Sequence, residues 1–255
     1  MLAIIQRKIK KWLEPKLILE IKPLKNQIHL GTEYGGYTLP TKLLHENAVY
    51  YAVGAGEDIS LDIEIANQYN PHVFIFDPTP RAKTHFDTLK ENTNKGIATP
   101  LYKNYTYPTT TKTFQKITFE LLGLWNEKTT MKFFVPANET HVSHSLLNMQ
   151  STEKYIDVQV DTLDNLMKER NHQTVDMLKM DIEGAEFAVI DDILDKKLDV
   201  KLICLEYHRQ GEKPIEKIQE SIDKLLKNNY IAIQGDKNML TFSFLRKDVY
   251  DRLKS

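Results

Sequence analysis

The chain has 255 residues, 41% of them hydrophobic and 27% charged, with a formal net charge of −1. That balance excludes a disordered or collagen-like chain and fits one globular domain, perhaps with a small extension, large enough to need no disulfide staples. A sequence pI of about 6.7 leaves no basic footprint for nucleic acid.

The opening stretch, MLAIIQRKIKKWLEPK, is basic and amphipathic. It lacks the apolar segment and small-residue cleavage site of a signal peptide, and no apolar run in the chain reaches the ~18 residues of a membrane span, so the expected location is cytoplasmic. The stretch predicts a helix packed on the domain or on a partner, with peripheral contact to a membrane surface as the alternative. We divide the chain into this helix and an arm, 1–46, and a main domain, 47–255. In the arm, HLGTEYGGYTLPTKLL is read as irregular, its adjacent glycines marking a turn.

A strand–helix rhythm begins at residue 47. AVYYAVG (48–54) reads as a strand buried on both faces. EDISLDIEIANQY alternates like a strand yet carries a helical stripe, Ile59, Ile63 and Ala66; its place between two buried strands favours a helix, because a parallel pair needs a crossover. HVFIFD (72–77) is a strand, after which Thr79 caps a helix that has Pro80 first and Ala82, Phe86 and Leu89 on one face. ITFELLGL (117–124) and TTMKFFVP (129–136) predict two strands joined by the turn WNEK, and HVSHSLLNMQSTEK predicts a polar loop.

YIDVQV is a strand leading to a short helix, DTLDNLMKER, capped by Asp161. VDMLKM is a buried strand, followed by a helix that turns Ala185, Val189, Ile190, Ile193 and Leu194 inward. VKLICLEY (200–207) holds the single cysteine, Cys204, as a small core residue. KPIEKIQESIDKLLKNN is a helix with Ile215, Ile218, Ile222, Leu225 and Leu226 on its inner face, and YIAIQGDKNMLTFSFLRK is a hairpin turning at QGDKN. The whole predicts an α/β fold: a mostly parallel sheet with helices on both faces and a C-terminal antiparallel hairpin. Ligands of such sheets bind beyond the carboxyl ends of the strands.

Three constellations fall at those ends. Gly54 and Gly56, in AVGAGEDIS, allow a sharp turn and close approach of a ligand, although a purely structural turn reads the same way. Asp77 ends the next strand 21 residues after Gly56, the place and distance of an acid that accepts ribose hydroxyls; alone, it equally suits a helix-capping turn. Ile59 stands where a dinucleotide motif needs its third glycine, and Glu57 and Asp58 would repel pyrophosphate, so a sulfonium-bearing nucleoside fits better than NAD. In the third, LKMDIEGAE, Glu183 and Glu186 suit helix capping and the helix dipole, whereas Asp181 should face the same crevice as Gly54 and Asp77.

The motifs VGAGEDIS, VFIFDPTPRA, QVDTLDNL, LKMDIEGAE and ICLEYH, in this order, resemble the FkbM-like family of S-adenosylmethionine-dependent methyltransferases, in particular its G-x-G-E-D-I-S branch. The likeness runs from about residue 29 to the terminal hairpin. It implies a class I methyltransferase (Rossmann-like) fold, a seven-stranded sheet with one antiparallel strand, S-adenosyl-L-methionine as cofactor, and O-methylation of a sugar, glycan or small natural product. By motif match, Gly54, Ala55, Gly56, Glu57 and Asp58 would hold the methionine part, Asp77 the ribose, and Pro78 and Thr79 the adenine edge. Gly123 and Leu124, in GLW, are further cofactor contacts, although the segment departs from the family's usual A-L-S or A-L-G.

Methyl transfer to a hydroxyl needs alignment and a base. Asp181, Glu206 and His208 are the candidates, and His208 has the reference pKa closest to neutrality. The same three groups could instead hold a divalent cation, but no tight ligand spacing supports that and no metal is assigned. His141 and His144 read as a solvated or substrate-facing loop; Tyr34 and Tyr37 either close over the ligands or pack the arm. An NAD-dependent oxidoreductase and a non-catalytic binding module are the rival functions. The acceptor and the oligomeric state are not readable.

Overall fold

Residues 15–102, 104–134 and 155–254 are described by the computed structural model. Most of the predicted N-terminal helix, and the loop with His141 and His144, lie outside the described residues.

The arm folds first. β1 (Gln27–Leu30) and β2 (Tyr37–Pro40) pair antiparallel, so the stretch read as irregular is a hairpin around Gly35 and Gly36. Its strands are four residues each, too short to register as alternation. Leu24, Leu30, Tyr37 and Leu39 of the arm share one core cluster with β3 (Val49–Val53) and α1 (Ser60–Tyr69). The hairpin thus covers the outer side of α1, whose Ser60, Leu61, Asp62, Ile63, Ile65 and Ala66 are all buried. A helix packed on opposite sides shows no clean stripe, which is why its sequence also resembled a strand.

The rhythm continues with β4 (His72–Phe76), α2 (Pro80–Asn94), β5 (Pro100–Tyr102), β6 (Tyr105–Thr106) and β7 (Ile117–Glu120). Thr79 caps α2, its side chain accepting the Ala82 N–H, and Ala82, Phe86 and Leu89 are buried as their spacing requires. Next come β8 (Gly123–Leu124), β9 (Thr129–Phe134), β10 (Tyr155–Asp161) and α3 (Leu163–Glu169). Two expectations are corrected here. The strand expected over 117–124 is broken into β7 and β8, which lie in different sheets, and β10 lies between β8 and β9, parallel to β8 and antiparallel to β9. The cap of α3 is Thr162, which accepts the Asn165 N–H, while Asp161 ends β10 and receives the Thr162 N–H and the Asn165 amide.

The second half holds β11 (Val175–Met180), α4 (Glu186–Asp195), β12 (Val200–Glu206), α5 (Pro214–Lys227), β13 (Tyr230–Asp236), β14 (Thr241–Arg246) and a terminal helix, α6 (Lys247–Leu253), that the periodicity did not reveal. On α5, Ile215, Ile218, Ile222 and Leu225 are buried but Leu226 is exposed. On α4, Leu194 is only partly buried. Cys204 is buried and unpaired, and burial pushes its thiol up to about 12.

Seven strands form the main sheet in the order β13-β14-β12-β11-β3-β4-β7. β14 runs antiparallel to both neighbours and every other adjacent pair is parallel. The chain leaves β3 toward one edge and returns to β11 on its other side, so the strand order reverses between β3 and β11, where open α/β sheets place their crevice. Met180 is in register with Val53 and with Leu205, and Val53 with Phe76. The next residues, Gly54, Asp77, Asp181 and Glu206, therefore stand in one row along the top of the sheet.

Candidate active site

A cleft of about 500 Å³ opens over that row. Its lining includes Gly54, Ala55, Gly56, Glu57, Asp58, Asp77, Pro78, Thr79, Gly123 and Leu124, together with Asp181 and Glu206. All ten residues proposed for the cofactor and two of the three proposed for catalysis thus share one wall system. Tyr34 and Tyr37 of the arm line it as well. His208 is not part of this lining; it stands behind Asp181.

The glycine turn is built by close approach. Gly54 has φ +78°, and a Cβ there would lie 1.7 Å from the Asp181 carbonyl oxygen. Its N–H donates to the Phe76 carbonyl, and the Asp181 N–H donates to the Val53 carbonyl. Any side chain at 54 would push β3 and β11 apart just below the cleft. Gly56 has φ +51°, but a Cβ there would meet nothing within 4 Å, so its surroundings are open space.

Asp77 is 4% exposed and its carboxylate is fully engaged by the protein. Oδ2 accepts the N–H groups of Ala55 and Gly56 at 2.9 and 3.0 Å; Oδ1 accepts the Thr79 N–H and hydroxyl at 2.8 and 2.6 Å. A carboxylate offers about four lone-pair sites, and all are filled. Asp77 fastens the glycine turn to the start of α2, and a ribose hydroxyl would have to replace one of these partners.

The acids of the turn are likewise engaged. Glu57 pairs with Arg81 at 2.7 Å. Asp58 accepts the Thr32 hydroxyl at 2.6 Å and the Ser60 N–H at 3.0 Å. Glu57 is thus matched by a cation, whereas Asp58 is held by neutral donors. More negative charge lies at the other end, on Asp181, Glu183 and Glu206. It is felt by Tyr34, whose hydroxyl is held above its ordinary pKa by burial and then by Asp181 and Glu206.

Sequence reasoning missed Lys179, 6% exposed in a strand whose six residues are all buried. Its ammonium donates to the Gly54 carbonyl from within the cleft wall. A buried lysine in a core strand is rare enough to have been a signal. It faces Asp62, also buried, whose Oδ1 has no hydrogen-bond partner among the described residues and whose carboxyl is pushed up to about 7 by burial, against the pull of Lys179.

Glu183 has φ +50° and does not cap α4, whose N-cap is Ala185. Glu186 closes this loop instead. It is fully buried, and its Oε1 accepts the Ile182 and Gly184 N–H groups, each at 3.2 Å, and faces His208 Nδ1 at 2.8 Å. Burial alone would lower the His208 pKa, but Glu186, Glu183 and Asp181 raise it to about 9. Burial, then Asp181, pushes Glu206 up to about 7, with His208 and Lys179 opposing. The reference pKa that favoured His208 over the carboxylates does not survive these surroundings.

Residues 8–232 match the Methyltransferase FkbM domain. No curated protein matches the chain in sequence. Among solved structures, a methyltransferase FkbM from Methylobacillus flagellatus aligns at 11% identity with a TM-score of 0.45, over 79% of this chain and 44% of that one. The present chain thus spans under half the length of that protein. The fibrillarin pre-rRNA processing protein of Methanococcus jannaschii aligns at 12% identity and a TM-score of 0.44, over 92% of this chain and 88% of that one.

Proposed function

The chain belongs to the FkbM methyltransferase family, and from that premise we propose that it transfers a methyl group from S-adenosylmethionine to a hydroxyl of a sugar, glycan or small natural product. The observation that carries this reading is the shared cleft: glycine turn, Asp77 and Asp181 open onto one space of about 500 Å³, within the usual range for small-molecule sites. The donor set also fits. The open space around Gly56 admits a ligand against the backbone, and the acidic far end suits a cationic donor better than a pyrophosphate.

When bound, S-adenosylmethionine would supply an electrophilic methyl on a sulfonium, whose sulfur would leave as a neutral thioether. The protein's own part is to hold and to deprotonate. Residues 54–58 and 77–79 form the cradle, with Gly123 and Leu124 at its side. Asp181 and Glu206, both in the cleft lining, would receive the hydroxyl proton, a contribution of about 10²–10⁴-fold. His208 acts through Asp181 and Glu183 rather than on the acceptor itself.

Isotope transfer from methyl-labelled S-adenosylmethionine to a panel of sugars and hydroxylated small molecules tests the reaction, with calorimetry against S-adenosylmethionine and NAD testing the cofactor. Label on an oxygen, and heat with S-adenosylmethionine alone, are the expected results. Binding of NAD but not S-adenosylmethionine would overturn the reading.

A further inference from the structure

We propose that Asp181, Glu183 and His208 form a binding site for a divalent first-row cation of the Mn²⁺ or Zn²⁺ class, at the acidic end of the cleft. One potential ligand atom from each residue lies within 4.8 Å of the others. His208 Nε2 is 3.7 Å from Asp181 Oδ1 and 3.5 Å from Glu183 Oε2. An ordinary ion-pair network would draw the ring nitrogen to about 2.7–3.2 Å from one carboxylate. Here it stands outside that range from both. Ligands around a cation bound at roughly 2.0–2.2 Å sit about 3.0–3.6 Å apart; the Glu183 contact falls in that range and the Asp181 contact just beyond it.

A second observation comes from behind the ring. Glu186, fully buried, faces His208 Nδ1 at 2.8 Å. A carboxylate on one ring nitrogen fixes the tautomer that turns the other nitrogen's lone pair outward, the arrangement found behind metal-bound histidines. The other oxygen of Glu186, Oε2, is buried with no hydrogen-bond partner among the described residues. A buried carboxylate oxygen left so is costly unless positive charge lies nearby. The protonated His208 ring supplies that charge, and a cation on the far side of the ring would supply it when the imidazole is neutral.

The charges agree. Asp181, Glu183, Glu186 and Glu206 gather around one histidine, and Lys179 acts on Glu206 from the cleft wall. One imidazole with two carboxylates suits Mn²⁺, Fe²⁺ or Zn²⁺ better than the all-oxygen shell preferred by Ca²⁺. Resting on the methyl-transfer reading, such a cation would polarise the acceptor hydroxyl beside Asp181 and Glu206 and ease loss of its proton. The binding site itself does not depend on that reading.

The test uses the full chain, stripped with chelator, titrated with MnCl₂ or ZnCl₂ by calorimetry and with Mn²⁺ by electron paramagnetic resonance, without acceptor or cofactor. One ion per chain is expected. His208→Ala and Glu183→Gln should each weaken Mn²⁺ binding by about 10–100-fold. Asp87→Asn, a solvent-exposed acid on α2, should leave it unchanged. Circular dichroism checks that each variant is folded. If neither ion is taken up, or if His208→Ala binds as wild type does, the site is refuted. Uptake that Asp87→Asn weakens equally would also refute it. S-adenosylmethionine calorimetry, run in chelator, separates the two ideas: ion uptake without cofactor binding keeps this site and removes the methyl-transfer reading.

Discussion

Replacing Asp77 by Asn separates two roles for this residue that the sequence alone conflates. A ribose acceptor that does nothing else would, when replaced, lose cofactor affinity and leave stability alone. The geometry requires more. The amide keeps one acceptor oxygen and turns an NH₂ toward two donors, either the Ala55 and Gly56 N–H groups or those of Thr79. A buried donor that loses its acceptor costs about 1–3 kcal/mol, so two such losses amount to roughly 2–4 kcal/mol once the turn relaxes. In a chain of this size that is a fall in Tm on the order of 5–15 °C. Scanning calorimetry gives the stability and titration with S-adenosylmethionine the affinity, and both are expected to fall together. A variant that melts within about 1 °C of wild type while losing affinity would show that Asp77 meets the ligand and is not the fastening of the turn.

Two further perturbations test the scaffold beneath the cleft. Asp62→Asn should stabilise the protein in a pH-dependent way. With a folded carboxyl near 7 against an ordinary 3.8, the penalty is absent below pH 4, grows as pH rises and is complete above 7. About three units correspond to ~4 kcal/mol at most, so a clear gain at pH 8 that fades toward pH 4 is expected in urea titrations; a gain independent of pH would contradict a buried charge at Asp62. Gly54→Ala forces a side chain onto the Asp181 carbonyl at a positive φ. It should cost several kcal/mol and abolish cofactor binding, whereas Gly56→Ala, facing open space, should cost only ~1 kcal/mol of backbone strain. Equal melting of the two variants would count against the close approach of β3 and β11.

The row of site residues was legible because it depends on local signals. Buried strands announce themselves as apolar runs, and a glycine or acid at the end of such a run must emerge at the carboxyl edge of a parallel sheet. Gly54, Asp77, Asp181 and Glu206 follow from that alone. What the chain did not disclose depends on contacts far apart in sequence. β10 inserts between β8 and β9, a pairing set by tertiary packing that the polar turn WNEK only obscured. Lys179 reaches Gly54, 125 residues away, and Glu186 serves His208 from an adjacent strand–helix loop. Glu186 looked like a residue placed for the helix dipole because its sequence position fits one; its burial, which gives it another role, is a property of the folded neighbourhood.

The same distinction changes which acids matter. Counting carboxylates along the chain put negative charge both on the glycine turn, at Glu57 and Asp58, and at the LKMDIEGAE junction, at Asp181, Glu183 and Glu186. In the folded protein Arg81, Thr32 and the Ser60 N–H engage those two, and a half-exposed pair such as Glu57 with Arg81 is worth little beyond holding the turn in place. A further group of acids, Asp181, Glu183 and Glu206, stands on the opposite wall. The cleft is therefore polarised: a hydrogen-bonded cradle at one end, and at the other a group of carboxylates around one histidine. On the proposed reading, a cationic donor held by the cradle would be drawn toward that second wall by its charge, which would bring the reacting bond and the candidate bases together by electrostatics rather than by any single contact.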